Sequence, residues 1–212
     1  MDLLRFVLIF GVFFLIMGVL YSIVKAGQRS VLLRTVRAAA AAFQRQAGEP
    51  GWRLVPDEED VPAGRISALE RMRRAAVAGT RGGRTVRAAV FSSTEPAGHY
   101  QSVPFGEVTV LGLVVAVDVP ELRGDLRMDP PRASWGYVTS GGLAPLVAGD
   151  AEKKVLARLK PNQPAVDIAD GVACFTFTDM DLAGQVGELA GLACDVVDIL
   201  VRSESSRRRP SR

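Results

Sequence analysis

Few side chains in this sequence have the chemistry of a catalytic site. His99 is the only histidine among 212 residues, and a catalytic imidazole needs a nucleophile or a carboxylate that converges on it. Ser102 and Glu107 are the nearest residues that could supply such groups. The sequence contains no GxSxG motif. It therefore favours a surface histidine, and an unrecognised enzyme is the weakest of three functional hypotheses.

The remaining reactive or ligand-like clusters have structural explanations. Cys174 falls in a predicted strand and Cys194 in a predicted helix, and they lack the CxxC spacing of a redox pair, so both are expected to be small, reduced core residues. The acidic run 57–60 lacks the alternating ligands of a calcium loop. The glycine cluster 79–84 lacks the spacing of a phosphate-binding loop and predicts the end of a helix and a turn. We predict no catalytic residue, no metal site and no cofactor.

The net charge of +3 is distributed unevenly along the chain. Residues 1–48 carry six basic side chains and one acidic side chain, and residues 202–212 carry five basic side chains and one acidic side chain. The body between these segments has 15 basic and 21 acidic side chains. Because a nucleic-acid-binding domain carries its positive charge on the fold itself, we predict no nucleic-acid partner.

An uncharged run of 19 residues, Phe6–Val24, lies near the N-terminus. As a helix it would extend about 28 Å, close to the thickness of the hydrocarbon core of a bilayer. It is longer than the apolar core of a signal peptide and has no good cleavage pattern after it. The run therefore predicts an uncleaved transmembrane anchor. The anchor residues are Phe6, Val7, Leu8, Ile9, Phe10, Val12, Phe13, Phe14, Leu15, Ile16, Met17, Val19, Leu20, Tyr21, Ile23 and Val24.

Basic residues after this run predict its orientation. Because cationic flanks stay in the cytoplasm, we predict a single-pass plasma-membrane protein with its N-terminus outside and its C-terminal domain in the cytoplasm. Gly11 and Gly18 lie seven residues apart on one helix face and are candidate packing positions for a homodimer. The candidate contacts to lipid headgroups are Lys25, Arg29, Arg34, Arg37, Arg207, Arg208 and Arg209.

The hydrophobic pattern after the anchor predicts an α+β body. Residues 65–78, 151–159 and 181–201 have helical periodicity, and β-branched runs predict strands that no helix-length crossover connects. Asp170–Gly171, between two strand-like runs, predicts a hairpin. The fold class is an N-terminal transmembrane helix continuing into a juxtamembrane helix, then a mainly antiparallel sheet with about three helices. The predicted divisions are a short tail (1–5), the transmembrane helix (6–24), a basic juxtamembrane helix (25–48), the α+β domain (49–201) and a disordered Arg-rich tail (202–212).

Four short motifs give the chain a resemblance to a known group. They are Gly51–Trp52, the turn 79–84, Val119–Leu122 and the hairpin end 168–171. In this order, after an apolar N-terminal run, they resemble an uncharacterised single-pass membrane protein family of high-GC actinobacteria, a domain of unknown function. The resemblance implies an architecture and no activity.

Three functions remain after these exclusions. The first is a membrane-anchored protein on the cytoplasmic face that binds another protein without catalysis. The second is a peripheral domain that senses anionic lipid through its basic ends. The third is the unrecognised enzyme. The predicted partners are the lipid bilayer, a protein of unknown identity and a second copy of the chain.

Overall fold

The computed structural model describes residues 2–96, 107–131 and 136–208. Within them the chain forms three α-helices, eight β-strands and two 3₁₀ segments. The helices are α1 (Asp2–Ala47), α2 (Gly149–Leu159) and α3 (Val186–Arg208), and the 3₁₀ segments are Ala144–Leu146 and Met180–Gln185. The strands are β1 (Trp52–Leu54), β2 (Met72–Arg81), β3 (Arg84–Pro96), β4 (Glu107–Asp118), β5 (Leu126–Asp129), β6 (Val138–Ser140), β7 (Ala165–Ala169) and β8 (Val172–Phe177).

All eight strands belong to one antiparallel sheet in the order β1-β2-β3-β4-β8-β7-β5-β6. The chain is therefore an α+β protein with an antiparallel sheet, as the absence of helix-length crossovers indicated. The predicted hairpin is confirmed, since Asp170 and Gly171 both have positive φ angles between the paired strands β7 and β8.

One face of the sheet carries the larger hydrophobic core. Its strands contribute side chains such as Val90, Leu113 and Phe175, all fully buried. Helices α2 and α3 and the last turns of α1, which bring Phe43, pack in the same cluster. Strand β4 is buried on both faces, because its alternate residues belong to the two different core clusters.

The second face is covered by the connection between β1 and β2, residues 55–71, which we call the strap. Its residues Val55 and Val61 pack on small side chains of β2, β3, β4 and β8. Farther along, Ile66 lies over Gly112, where a Cβ atom would come within 2.1 Å of its Cδ1. The absence of a side chain at Gly112 thus lets the strap lie directly on the sheet.

The chain divides into two units, Met1–Ala38 and Ala39–Arg212. The first unit is helical, and it contains the run predicted to span a membrane. That prediction is wrong: over the residues that the structure describes, no helix has both the length and the apolar character needed to cross a bilayer. The same finding overturns the single-pass plasma-membrane localisation. Phe6–Val24 is the N-terminal part of one 46-residue helix, α1, which continues through the basic segment that carries Arg29, Arg34 and Arg37.

A second correction concerns residues 65–78, which were predicted as a helix. They form the end of the strap and most of β2. Ala76, Val77 and Ala78 are consecutive buried residues that alternate between the two core clusters, which is the period of a strand. The spacing of the small apolar side chains in this segment is compatible with a helix as well as with a strand, and hydrogen-bonded pairing with β3 makes it a strand. The turn 79–84 therefore joins two strands.

Two helix ends also differ from the sequence expectation. Helix α2 begins at Gly149, two residues before the predicted segment 151–159, and the side chain of its N-cap, Ala148, makes no capping hydrogen bond. Helix α3 continues past Val201 to Arg208. Most of the segment predicted to be a disordered tail is therefore helical, and residues 209–212 lie outside the described residues.

Gly64 provides a test of how closely the strap approaches the sheet. Its φ is +52°, and an added Cβ atom would lie 2.5 Å from Thr176 Oγ1. We expect Gly64→Ala to lower the free energy of unfolding about 1–3 kcal/mol more than Gly82→Ala, measured by urea titration. Gly82 is the matched control because its φ is +58° and nothing lies within 4 Å of its Cβ position. Equal losses in the two variants would contradict the close approach.

Candidate functional site

The candidate site is a cleft of about 400 Å³ in the second unit, which we call the α2–α3 cleft. The first turns of α2 lie on one side of it and the last turns of α3 on the other, because the two helices run side by side with Arg158 on α2 paired to Asp195 on α3 at 3.3 Å. Leu146 and Ile199 provide apolar surface. A concave surface of this size lies within the range of small-ligand sites.

Three cations line the α2–α3 cleft: Lys154 from α2, and Arg202 and Arg207 from α3. All three are exposed. Among the described residues none of them forms an ion pair. The one acidic residue in the lining, Asp150, lies 3.6 Å from the Lys153 ammonium group. The cleft therefore has a net positive charge, although the body of the protein is acidic.

The other polar groups of the α2–α3 cleft limit what it can bind. The hydroxyl of Ser203 donates to Ile199 O at 3.0 Å, and that of Ser206 donates to Arg202 O at 2.9 Å. These hydroxyl hydrogens are used within α3, so the side-chain donors left for a ligand are the ammonium and guanidinium groups. Such groups bind anions, and they offer no nucleophile or general base.

A second cleft, of about 360 Å³, lies on the other side of the end of α3. Its lining mixes Arg123 with Glu121 and Glu204, so it has no net positive charge. Glu121 is also paired with Arg84 at 3.1 Å, and the hydrogen bond from Arg84 lowers the pKa of its carboxyl. This cleft does not favour an anion.

A partly buried polar network holds the strap on the sheet and forms the other concentration of charge. The Arg65 guanidinium contacts the carboxylates of Asp129 and Asp167, the latter at 2.5 Å. It also donates to Met128 O at 3.1 Å and to Val166 O at 3.0 Å. Every acceptor belongs to β5 or β7, so one side chain fastens the strap to two strands. The charged groups of this network are all paired with one another, which is typical of a network that stabilises the fold.

Both cysteines are unreactive thiols. Burial, followed by the charge of Asp167, raises the pKa of Cys174 to about 11. Burial also raises the pKa of Cys194, whose Sγ contacts Arg81 O at 3.6 Å. Both thiols are therefore protonated at neutral pH and are poor nucleophiles. They lie in different core clusters, on opposite faces of the sheet, as free cysteines.

The structure places the predicted site residues in different parts of the chain. Of the residues predicted to contact lipid headgroups, Arg207 lies in the α2–α3 cleft, and Arg29, Arg34 and Arg37 are exposed on α1. Arg208 is the last residue of α3, and Arg209 lies outside the described residues. His99 and Ser102 also lie outside them. Within the described ranges, no three His, Cys, Asp or Glu residues are arranged to hold a metal ion.

Sequence reasoning did not identify Lys154 and Arg202 as site residues. Each looks like an ordinary charge on the wet side of an amphipathic helix, and they are 48 positions apart in the sequence. Only the packing of α2 against α3 brings them into one cleft with Arg207.

The fold and the α2–α3 cleft together define an α+β protein with an anion-compatible surface. Comparison with protein-family models, with curated proteins and with solved structures gave no match. The resemblance to a membrane protein family therefore stays a prediction.

Proposed function

We propose that this chain is a protein-interaction module that associates with further copies of itself through the apolar part of α1. The observation that carries the proposal is the exposure of large apolar side chains in the first unit: Leu15 is 69% exposed, Val19 52%, and Ile16 and Met17 50% each. Contiguous exposed apolar surface marks an interaction site.

The arrangement of these side chains favours several helices over a single groove. Successive residues of a helix point about 100° apart, so Leu15, Ile16 and Met17 face three different directions. Covering all of them requires neighbours on more than one side. A second and third copy of α1 offer the same apolar surface, and symmetric homo-oligomers are the commonest assemblies of soluble proteins. Burial of each such side chain contributes about 1.5–3 kcal/mol.

Gly18 adds a point of close approach on this helix. Nothing lies within 4 Å of the position that its Cβ atom would occupy. A neighbouring helix can therefore come nearer to the backbone at Gly18 than at the large side chains around it. Gly11, one heptad earlier, is the other position predicted for packing.

The test is the oligomeric state of the full chain by sedimentation velocity. We expect the unmodified chain to sediment as an oligomer, and the double variant Leu15→Gln, Val19→Gln to shift towards the monomer because it makes one face of α1 polar. Leu54→Gln is the matched control, since Leu54 is 50% exposed on β1 in the other unit. A monomeric unmodified chain, or an oligomer that the double variant leaves intact, would refute the proposal.

A further inference from the structure

The α2–α3 cleft lies in the second unit and has no part in the association proposed for α1. We propose that the α2–α3 cleft binds a phosphate-bearing anion. The inference depends on three features of the cleft: its cations have no acidic partner among the described residues, the helix dipoles do not explain the position of Lys154, and its donors suit an anion with more than one negative charge.

The first feature is the contrast between the cleft cations and their neighbours. Arg158 and Lys153, on the same helix as Lys154, each have an acidic partner within 4.0 Å, at 3.3 Å and 3.6 Å. Lys154, Arg202 and Arg207 have none among the described residues. Charges of one sign that share a cleft repel one another, and a bound anion removes that repulsion.

The second feature is that helix-dipole stabilisation explains only part of the cluster. Arg202 and Arg207 are near the C-terminal end of α3, where a cation is favourable without any ligand. Lys154 is the central residue of α2, five residues from either end, where a cation gains nothing from the dipole. The position of Lys154 opposite the two arginines is therefore unexplained by the helices themselves and is explained by an anion between them.

The third feature is the kind of donor that the α2–α3 cleft presents. The cleft presents two guanidinium groups and one ammonium group, and its one carboxylate is already close to Lys153. This excess of positive charge matches an anion with more than one negative charge. Guanidinium groups bind phosphate oxygens in pairs. The first turn of α2 also lines the cleft, and its N-cap Ala148 supplies no capping side chain, so backbone N–H groups add to the donors.

The phosphate group has two possible sources, a soluble phosphate compound and a lipid headgroup, and the experiment separates them. Full-length protein is titrated with inorganic pyrophosphate in a calorimeter. In a second arm it is sedimented with phosphatidylcholine vesicles that either contain or lack phosphatidic acid. Binding in either arm supports the proposal if it depends on the cleft, and the arm that responds identifies the source.

Dependence on the α2–α3 cleft is tested with Lys154→Gln and Arg202→Gln. Each removes one charge-assisted contact, so we expect each to weaken binding about tenfold and the double variant to abolish it. Both side chains are exposed, so the variants are expected to fold, and thermal unfolding checks this. The matched control is Lys160→Gln, which removes the same charge from an exposed residue just after α2, outside the cleft, and is expected to change affinity less than twofold.

Two results would overturn the proposal. One is the absence of binding to both pyrophosphate and acidic vesicles. The other is binding whose affinity is the same in the double variant as in the Lys160→Gln control, because the anion would then be held elsewhere. Neither result bears on the association of α1, which the sedimentation experiment measures separately.

Discussion

Replacing Arg65 with glutamine is expected to lower the free energy of unfolding by about 3 kcal/mol. The Arg65 side chain is only 17% exposed, and its guanidinium binds the carboxylates of Asp129 and Asp167 together with two backbone carbonyls. Glutamine has neither the charge nor the reach to serve four acceptors. The variant therefore leaves Asp167 without its cation, leaves Asp129 with only the exposed Arg127, and releases the strap from β5 and β7. Urea titration of the full chain measures the loss.

Arg127→Gln is the matched control for this prediction. Arg127 also pairs with Asp129, at 3.4 Å, but its side chain is 61% exposed. An exposed ion pair contributes between about 0 and 1 kcal/mol, so the free energy of unfolding of the control is expected to stay close to that of the unmodified protein. Arg65→Lys keeps the positive charge but loses the several N–H donors of the guanidinium. Its loss of unfolding free energy is expected to lie between those of Arg65→Gln and Arg127→Gln. Similar losses for Arg65→Gln and Arg127→Gln would show that the strap does not depend on Arg65.

The effect of Arg65→Gln is expected to depend on pH. Burial acts to raise the pKa of Asp129, but the charges of Arg65 and Arg127 outweigh it and the pKa lies below its usual value. A carboxylate with a depressed pKa contributes stability that is present above its unfolded pKa, about 3.9, and is lost as the pH falls through the folded value. The stability difference between Arg65→Gln and the unmodified chain is therefore largest near neutral pH and narrows below about pH 4. A difference that does not change from pH 7 to pH 3 would contradict the electrostatic explanation.

Phe43→Ala is expected to have the other large effect, a loss of about 3–5 kcal/mol. Phe43 has no exposed surface and belongs to the larger core cluster with Ala39, from the previous turn of α1. Truncation to alanine removes most of a buried aromatic side chain and leaves a cavity where the end of α1 packs. Among the α1 side chains that the structure describes, only Ala39 and Ala42 are buried besides Phe43. Amide hydrogen exchange of residues 39–47 should therefore also become faster, which a uniform loss of stability would not produce selectively.

Val31→Ala provides the comparison for this second prediction. Val31 is on the same helix and is 60% exposed, so its truncation is expected to change the free energy of unfolding by less than about 0.5 kcal/mol. Phe43→Leu removes less side-chain volume, so it should lower the free energy of unfolding less than Phe43→Ala does. If Phe43→Ala costs no more than Val31→Ala, Phe43 does not hold this end of α1 in the core.

Local patterns predicted much of the sheet. The β-branched run at β4 predicted a strand, and Asp170–Gly171 predicted the β7–β8 hairpin, because each signal lies within a few consecutive residues. Residues 65–78 were misassigned for the opposite reason: alanine, valine and isolated large apolar residues satisfy both helical and strand periods, so pairing with β3 decided their structure. The membrane prediction was also wrong, since no helix among the described residues is long and apolar enough to cross a bilayer.

The sequence by itself determined the α+β class, the acidic body between basic ends and the scarcity of catalytic groups, because composition and short-range periodicity carry that information. Only the tertiary structure decided where charges meet. Arg65 reaches Asp129 and Asp167 across 64 and 102 residues of chain, and Lys154 meets Arg202 only because α2 lies beside α3. Contacts between residues distant in the chain depend on how whole helices and strands pack, so the local sequence around one residue does not predict which distant residue it contacts.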